Sequence, residues 1–313
     1  MKHAEAMLFA GSSHQVLAKK LAGDLNVHLG ELLIETFPDG EIGVQILENV
    51  RGKDIFVLQS AARHPNHYLM ELLILVDAFK RASARTIVAV MPYFPYARQD
   101  RKDKGRVPIT AKLVANLLEK AGVTRLLTMD LHTEQIQGFF DIPVDHLYAR
   151  PVFVKTLKGL GMKDPVVVSP DIGSNKMARK FAEDLKADIA IVDKRRINAQ
   201  TVEVNALIGD VKGKQAILVD DICSTGKTLE IAADVCRKEG AQSVIAVISH
   251  ALLMSGPPLK GIDKLFITDS IAPFEGFAET RTQKVQVVSI APLFAQAIEC
   301  VISAKSISSL FKT

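Results

Sequence analysis

Cysteine is scarce: there are 3 in 313 residues. Cys223, Cys236 and Cys300 stand far apart, with neither metal-ligand nor redox spacing, so nothing points to a disulfide framework or a cysteine-held metal. Long apolar runs are also missing. No stretch approaches the roughly 18–20 residues of a membrane span, and Leu72–Val76 is soon broken by charge. Charge of one sign is barely in excess. A formal net charge of +4 is too small to argue for a nucleic-acid partner, although local basic patches can still meet phosphates. The opening segment Met1–Ala10 carries His3 and Glu5 and lacks the layout of a signal peptide. These absences lead to the expectation of a reduced, cytoplasmic protein without membrane or nucleic-acid partners.

What is present is an ordinary globular mixture, 48% hydrophobic and 24% charged. The length exceeds the roughly 250–300 residues at which a single core stops growing, so two domains are expected. Short β-branched runs read as buried strands at Ile55–Gln59, Thr86–Met91, Arg125–Asp130, Val166–Ser169, Ile189–Asp193, Ala216–Asp220 and Ser243–Ser249. Amphipathic stretches lie between them at Tyr68–Arg81, Ile109–Ala121, Ser174–Leu185 and Thr228–Glu239. Such alternation predicts an α/β fold of mostly parallel sheets flanked by helices.

The chain also resembles itself. Leu17–Leu25 matches Met177–Leu185, Val50–Lys53 matches Val211–Lys214, and Ala84–Val90 matches Ala241–Val247, all in the same order. The offset stays at about 160 residues, which predicts an internal duplication with a boundary near residue 150. Doubly wound sheets open a crevice at the carboxyl ends of their strands. At that place the second copy has Asp220-Asp-Ile-Cys-Ser-Thr-Gly-Lys-Thr228 and the first has Gln59-Ser-Ala-Ala-Arg63. Chemistry is therefore expected to centre on the second copy.

In the segment 220–228 a buried strand gives way to two carboxylates, a small-residue loop and a helix. Ser224, Thr225 and Thr228 supply hydroxyls, and Gly226 lets consecutive N–H groups turn toward an anion at the positive end of the helix. Gly226-Lys227-Thr228 imitates a Walker A ending, but that motif needs a glycine where Asp221 stands. Paired aspartates suit a ligand with vicinal hydroxyls beside its phosphate; an Asp pair that merely caps the helix is the plainer alternative.

Asp220–Thr228 resembles the phosphoribosyl-pyrophosphate loop of type I phosphoribosyltransferases. A broader resemblance covers Phe37–Glu41, Pro92–Lys104, Asp130–Phe140, Ser169–Asp171, Asp193–Arg196 and Ser306–Phe311. Together these segments look like the signature of the ribose-phosphate pyrophosphokinase (phosphoribosyl pyrophosphate synthetase) family, of the class I kind. The resemblance implies two tandem phosphoribosyltransferase-like domains related by internal duplication, at residues 1–148 and 149–295, with 296–313 as a helix and tail packing back on the first. It implies a ribose-phosphate diphosphokinase that moves the diphosphoryl group of ATP to ribose 5-phosphate for nucleotide biosynthesis. By the same resemblance Lys194 and Arg196 are catalytic, and Phe37, Asp39, Gly40, Glu41, Arg98, Gln99 and Arg101 contact ATP. Arg196, Asp220, Asp221, Ser224, Thr225, Gly226, Lys227 and Thr228 bind ribose 5-phosphate, and His132 and Asp171 hold Mg²⁺. A homohexamer is implied, in which Phe37–Glu41 serves a neighbouring subunit. So is regulation by phosphate and ADP at Arg51, Lys102–Pro108 and Ser306–Ser309.

The chain departs from the family pattern in two places. Ser224 stands where an acidic residue is usual and Lys227 where glycine is usual, and Ile172-Gly-Ser-Asn-Lys176 replaces a His-Gly-Gly run. The alternatives these departures raise are a regulatory paralogue with weakened catalysis and a phosphoribosyltransferase that consumes the diphosphate compound.

Overall fold

The computed structural model describes residues 5–196, 202–254, 256–257, 260–273 and 284–311. The first elements are β1 (Ala6–Ala10), α1 (Gln15–Leu25), β2 (Leu32–Thr36), β3 (Ile42–Ile46), β4 (Asp54–Leu58), α2 (Pro65–Arg81) and β5 (Thr86–Met91). Next come α3 (Thr110–Ala121), β6 (Arg125–Met129), β7 (Val144–Leu147), α4 (Arg150–Lys158), β8 (Pro165–Ser169), α5 (Asn175–Leu185), β9 (Asp188–Arg196) and β10 (Val202–Ile208). The chain continues with β11 (Gln215–Cys223), α6 (Lys227–Lys238), β12 (Ser243–Ala251), β13 (Lys264–Thr268), β14 (Val285–Val288), α7 (Ala291–Ser303) and a 3₁₀ turn at Ile307–Phe311.

These elements fall into two compact units. The first comprises Met1–Tyr148, Ser270–Ala272 and Ile290–Lys312, and the second Ala149–Asp269 with Pro273–Ser289. The first unit holds a five-stranded sheet in the order β1-β4-β5-β6-β7, every neighbouring pair parallel. The second holds a seven-stranded sheet in the order β10-β9-β8-β11-β12-β13-β14, in which only β10 runs antiparallel. Each unit buries its own apolar core. Phe9, Val57, Leu72, Leu75, Phe79 and Met91 gather in the first, and Val166, Val168, Leu218, Ala246, Ile248 and Phe266 are buried in the second.

The sequence repeat survives as repeated geometry. The β1-β4-β5-β6-β7 order of one sheet reappears as β8-β11-β12-β13-β14 in the other. Helices α1 and α5 both end on a left-handed residue, Asn26 at φ 53° and Lys186 at φ 52°. Ahead of β4, Gly52 turns at φ 70° and Lys53 N–H donates to the Val50 carbonyl at 3.1 Å. Ahead of β11, Gly213 turns at φ 73° and Lys214 N–H donates to the Val211 carbonyl at 3.1 Å. The conserved turn demands a residue that tolerates positive φ, and glycine supplies it in both copies.

Two strands, β9 and β11, each run three residues past the end their sequence suggests. β9 does not stop at Asp193 but continues to Arg196, because β10 pairs with it as a hairpin in which Val204 faces Lys194 and Val202 faces Arg196. β11 continues past Asp220 to Cys223, because β12 keeps pairing with it up to Cys223 and Ala251. Among the described residues no helix is long and apolar enough to cross a membrane.

Candidate active site

The extension of β11 shortens the phosphate loop. Asp220 and Asp221 are strand residues, α6 already begins at Lys227, and only Ser224, Thr225 and Gly226 form the turn. The carbonyls leading into it are held from behind. The Cys223 oxygen accepts from the N–H groups of Leu252 at 2.9 Å and Leu253 at 3.2 Å, and the Ser224 oxygen accepts from Met254 N–H at 2.8 Å. Gly226 caps α6 with left-handed backbone at φ 84° and offers no side-chain cap. The first turn of α6 is therefore an N-terminus of the kind that attracts anions. Lys227, where the family usually has glycine, is exposed and is the first residue of the helix, so its side chain strains no backbone. Thr225 is exposed too, while Ser224 and Thr228 are half-buried.

Behind the loop, two chain segments are laced together. Asp220 is buried, and its Oδ1 accepts from Ser174 Oγ at 2.6 Å and from Asp221 N–H at 3.0 Å. Ser174 N–H donates to Asp171 Oδ1 at 3.1 Å, and Ser169 Oγ donates to the Asp171 carbonyl at 2.6 Å. Burial pushes the Asp220 carboxyl up to about 8; the charges of Asp221 and Asp171 add to the rise, and the Ser174 hydrogen bond opposes it. Burial likewise pushes the Cys223 thiol up to about 12. That cysteine is buried in the core of the second unit and serves as packing.

Neighbouring strands bring the other expected residues of the second unit to the same end of its sheet. β8 lies between β9 and β11 and is parallel to both. The backbone of Lys194 and Arg196, the Asp171–Ser174 turn and the Asp220–Thr228 loop thus all leave the carboxyl ends of adjacent strands. The side chains of Lys194 and Arg196 lie outside the described residues.

The first unit divides its expected residues between two places. Arg98, Gln99 and Arg101 are exposed in the loop after β5. Gln99 anchors that loop to α3: its carbonyl accepts from Ala111 N–H at 3.1 Å and its Oε1 accepts from Thr110 Oγ1 at 2.6 Å. Asp100 Oδ2 accepts from Thr133 Oγ1 at 2.9 Å, which ties the loop to exposed His132 beyond the neighbouring strand β6. Asp130, in the same segment, is buried with left-handed backbone at φ 39° and shapes the turn. Leu131 N–H donates to His146 Nε2 at 2.9 Å. Phe37, Asp39, Gly40 and Glu41 form the tip of the β2–β3 hairpin, closed by a turn in which Gly40 N–H donates to the Phe37 carbonyl at 2.8 Å. Phe37 is 44% exposed there. Among the described residues no hydrogen bond or ion pair joins this tip to Arg98–Arg101.

Sequence reasoning missed three contributors: Ser174, Thr133 and His146. Ser174 drew notice only as a departure from a pattern, and a hydrogen bond spanning 46 residues leaves no local trace. Among the described residues no group of three His, Cys, Asp or Glu side chains forms a ready metal cage. The half-buried carboxylate of Asp171 beside the loop still suits a hard cation that takes most of its oxygens from water and ligand phosphates, whereas Asp220 is kept neutral chiefly by burial. A cavity of about 570 Å³ lies elsewhere in the first unit, lined by Arg125, His146, Tyr148, Lys305, Ser308 and Phe311 among others. Arg51 and Lys102–Pro108 do not line it.

Comparison with known proteins agrees with this layout. The pattern described as the N-terminal domain of ribose phosphate pyrophosphokinase matches residues 6–122, and that of the phosphoribosyl transferase domain matches residues 150–276. The ribose-phosphate pyrophosphokinase of Helicobacter hepaticus is 50% identical over 309 residues, 97% of this chain and 98% of its own length. That of Bacillus caldolyticus is also 50% identical over 309 residues, 97% of each chain. The crystal structure of phosphoribosylpyrophosphate synthetase from Mycobacterium smegmatis superimposes with a TM-score of 0.88 at 40% identity, covering 96% of this chain and 99% of that one. With two domain patterns in tandem and half its residues shared with relatives along nearly its whole length, the chain belongs to the ribose-phosphate pyrophosphokinase family.

Proposed function

We infer that this chain transfers the diphosphoryl group of ATP to the anomeric hydroxyl of ribose 5-phosphate, forming 5-phosphoribosyl 1-diphosphate and releasing AMP. The observation that carries the reading is the anion turn Ser224-Thr225-Gly226 opening α6 directly after a pair of strand carboxylates, in a member of this family. The turn and Thr228 take the 5-phosphate, with Lys227 adding charge from the first helical position. Asp220 and Asp221 accept hydrogen bonds from the sugar hydroxyls. Lys194 and Arg196, carried to the same end of the sheet by β9, neutralise charge growing on the β-phosphorus oxygens as the anomeric oxygen attacks and AMP departs.

The same reading gives ATP to Arg98, Gln99 and Arg101 and to the hairpin tip Phe37, Asp39, Gly40 and Glu41. Exposure of Phe37 suits stacking on adenine. A tip set apart from the β5 loop suits service to a neighbouring subunit in a homohexamer. His132 and Asp171 would hold Mg²⁺, which when bound screens the polyphosphate charge. Regulation by phosphate or ADP and a cytoplasmic location belong to the same proposal, and a cavity lined by Lys305 and Ser308 offers phosphate-binding chemistry.

Incubation with ATP, Mg²⁺ and ribose 5-phosphate tests the reading through AMP release. Sugar-dependent AMP is expected from the parent, and Lys194→Ala should cut turnover by about a hundredfold or more, since removing one charge-stabilising donor costs about 10²–10³ in rate. No AMP from the parent, or pyrophosphate released from supplied 5-phosphoribosyl 1-diphosphate and a base, would instead indicate the weakened paralogue or the phosphoribosyltransferase.

A further inference from the structure

Ser174 uses its hydroxyl in a way its position does not require. A serine at a helix N-cap ordinarily turns its oxygen onto N–H groups of its own first turn. Ser174 is the N-cap residue of α5 and makes no such bond. Its hydroxyl reaches across to Asp220 Oδ1 at 2.6 Å, while its own N–H is held by Asp171 Oδ1 at 3.1 Å. A hydroxyl has one proton to donate. The contact to Asp171 Oδ1 is 3.4 Å, so the proton goes to Asp220. Both Ser174, 8% exposed, and Asp220, 9% exposed, are shielded, and bulk water cannot readily take over the role.

Ile172-Gly-Ser174 replaces the His-Gly-Gly run of the family pattern, and a glycine at 174 would bring no hydroxyl. We propose that Ser174 is a positioning residue for ribose 5-phosphate: it clasps the turn after β8 to the loop after β11 and fixes the rotamer in which Asp220 meets the sugar. The proposal rests on Asp220 and Asp221 being the sugar-binding pair. Ser174 does not touch the reacting phosphorus, so its contribution is to binding that is equal in the ground and transition states, which appears in KM and leaves kcat alone.

Steady-state kinetics on the full-length protein separate the possibilities. In Ser174→Ala, KM for ribose 5-phosphate should rise about tenfold, equivalent to about 1.4 kcal/mol, with kcat and KM for ATP within about twofold of the parent. Ser174→Thr, which keeps the hydroxyl, should restore KM, whereas Ser174→Val, which has the shape of threonine without the oxygen, should not. Adding Ser174→Ala to Asp220→Asn should change little further, because the two side chains act as one unit. A near-parental KM in both Ser174→Ala and Ser174→Val, while Asp220→Asn raises it, overturns the clasp. A KM raised equally by threonine and valine also overturns it, since the cause would be crowding. If Asp220→Asn itself leaves KM for the sugar unchanged, the sugar-binding assignment of the aspartates fails first.

Discussion

Asp220 sits where a carboxylate is hardest to keep charged, buried and beside Asp221, and its carboxyl is pushed up to about 8. In the unfolded chain an aspartate titrates near about 3.9. Between those values the folded protein keeps a proton that the unfolded chain has released. Stability from this group is therefore complete below about pH 4 and drains away as pH climbs through about 8. Asp220→Asn keeps the shape and cannot ionise. In metal-free and ligand-free buffer its melting temperature should fall less between pH 5 and pH 9 than that of the parent, the gap reaching several degrees at the alkaline end. Parallel melting curves across that range would refute the assignment. At this scale the sequence was informative about residue types and poor about ties. Asp220, Asp221, Ser224 and Thr225 announced themselves by clustering, whereas the Ser174 bond and the Thr133–Asp100 bond join distant segments and exist only once the strands are side by side.

Elements show where periodicity helps and where it fails. The long buried strands β5, β8 and β12 were legible because each is a run of apolar, mostly β-branched residues buried on both faces. Strands β2 and β3 are absent from the sequence reading, since β2 has no residue fully buried and its alternation is weak. Helix α2 adds a violation inside a well-read element, for Glu71 is fully buried beside Leu72 and Leu75. It is satisfied from several directions, by Ser12 N–H at 2.6 Å, Ser12 Oγ at 2.5 Å and Gln59 Nε2 at 2.8 Å, with His67 at 3.6 Å. Gly11 is required beside it, because a Cβ there would stand 2.4 Å from Gln59 Oε1. Glu71→Ala strands buried donors and leaves a void, and it should lower unfolding free energy by about 2–4 kcal/mol in urea titrations. A loss below about 1 kcal/mol would mean the network is ornamental to stability.

For the whole molecule, duplication poses a question of asymmetry: two units share strand order and turn geometry, yet only one is expected to bind the sugar phosphate. The loops after β1 and β4 supply a physical reason. They are tied to each other and to neighbouring elements of the same unit, with Ser60 N–H donating to Ser13 Oγ at 2.8 Å, Ser60 Oγ to the Ser270 carbonyl at 2.5 Å, and Gln59 Nε2 to Glu71 at 2.8 Å. Gln59, Ser60 and Ser13 are all buried, so the place that in the second unit holds an anion turn is in the first unit filled with its own side chains. The loops after β8 and β11 instead leave Thr225 and Lys227 exposed at the start of α6. Hydrogen exchange reads this difference directly, because a bound ligand slows local opening only where it touches the chain. Ribose 5-phosphate alone should slow exchange in peptides spanning residues 171–176 and 220–230 and leave those spanning residues 8–16 and 56–64 unchanged. Equal slowing in both sets would show that the first copy still accepts the sugar phosphate, and the division of labour between the copies would have to be abandoned.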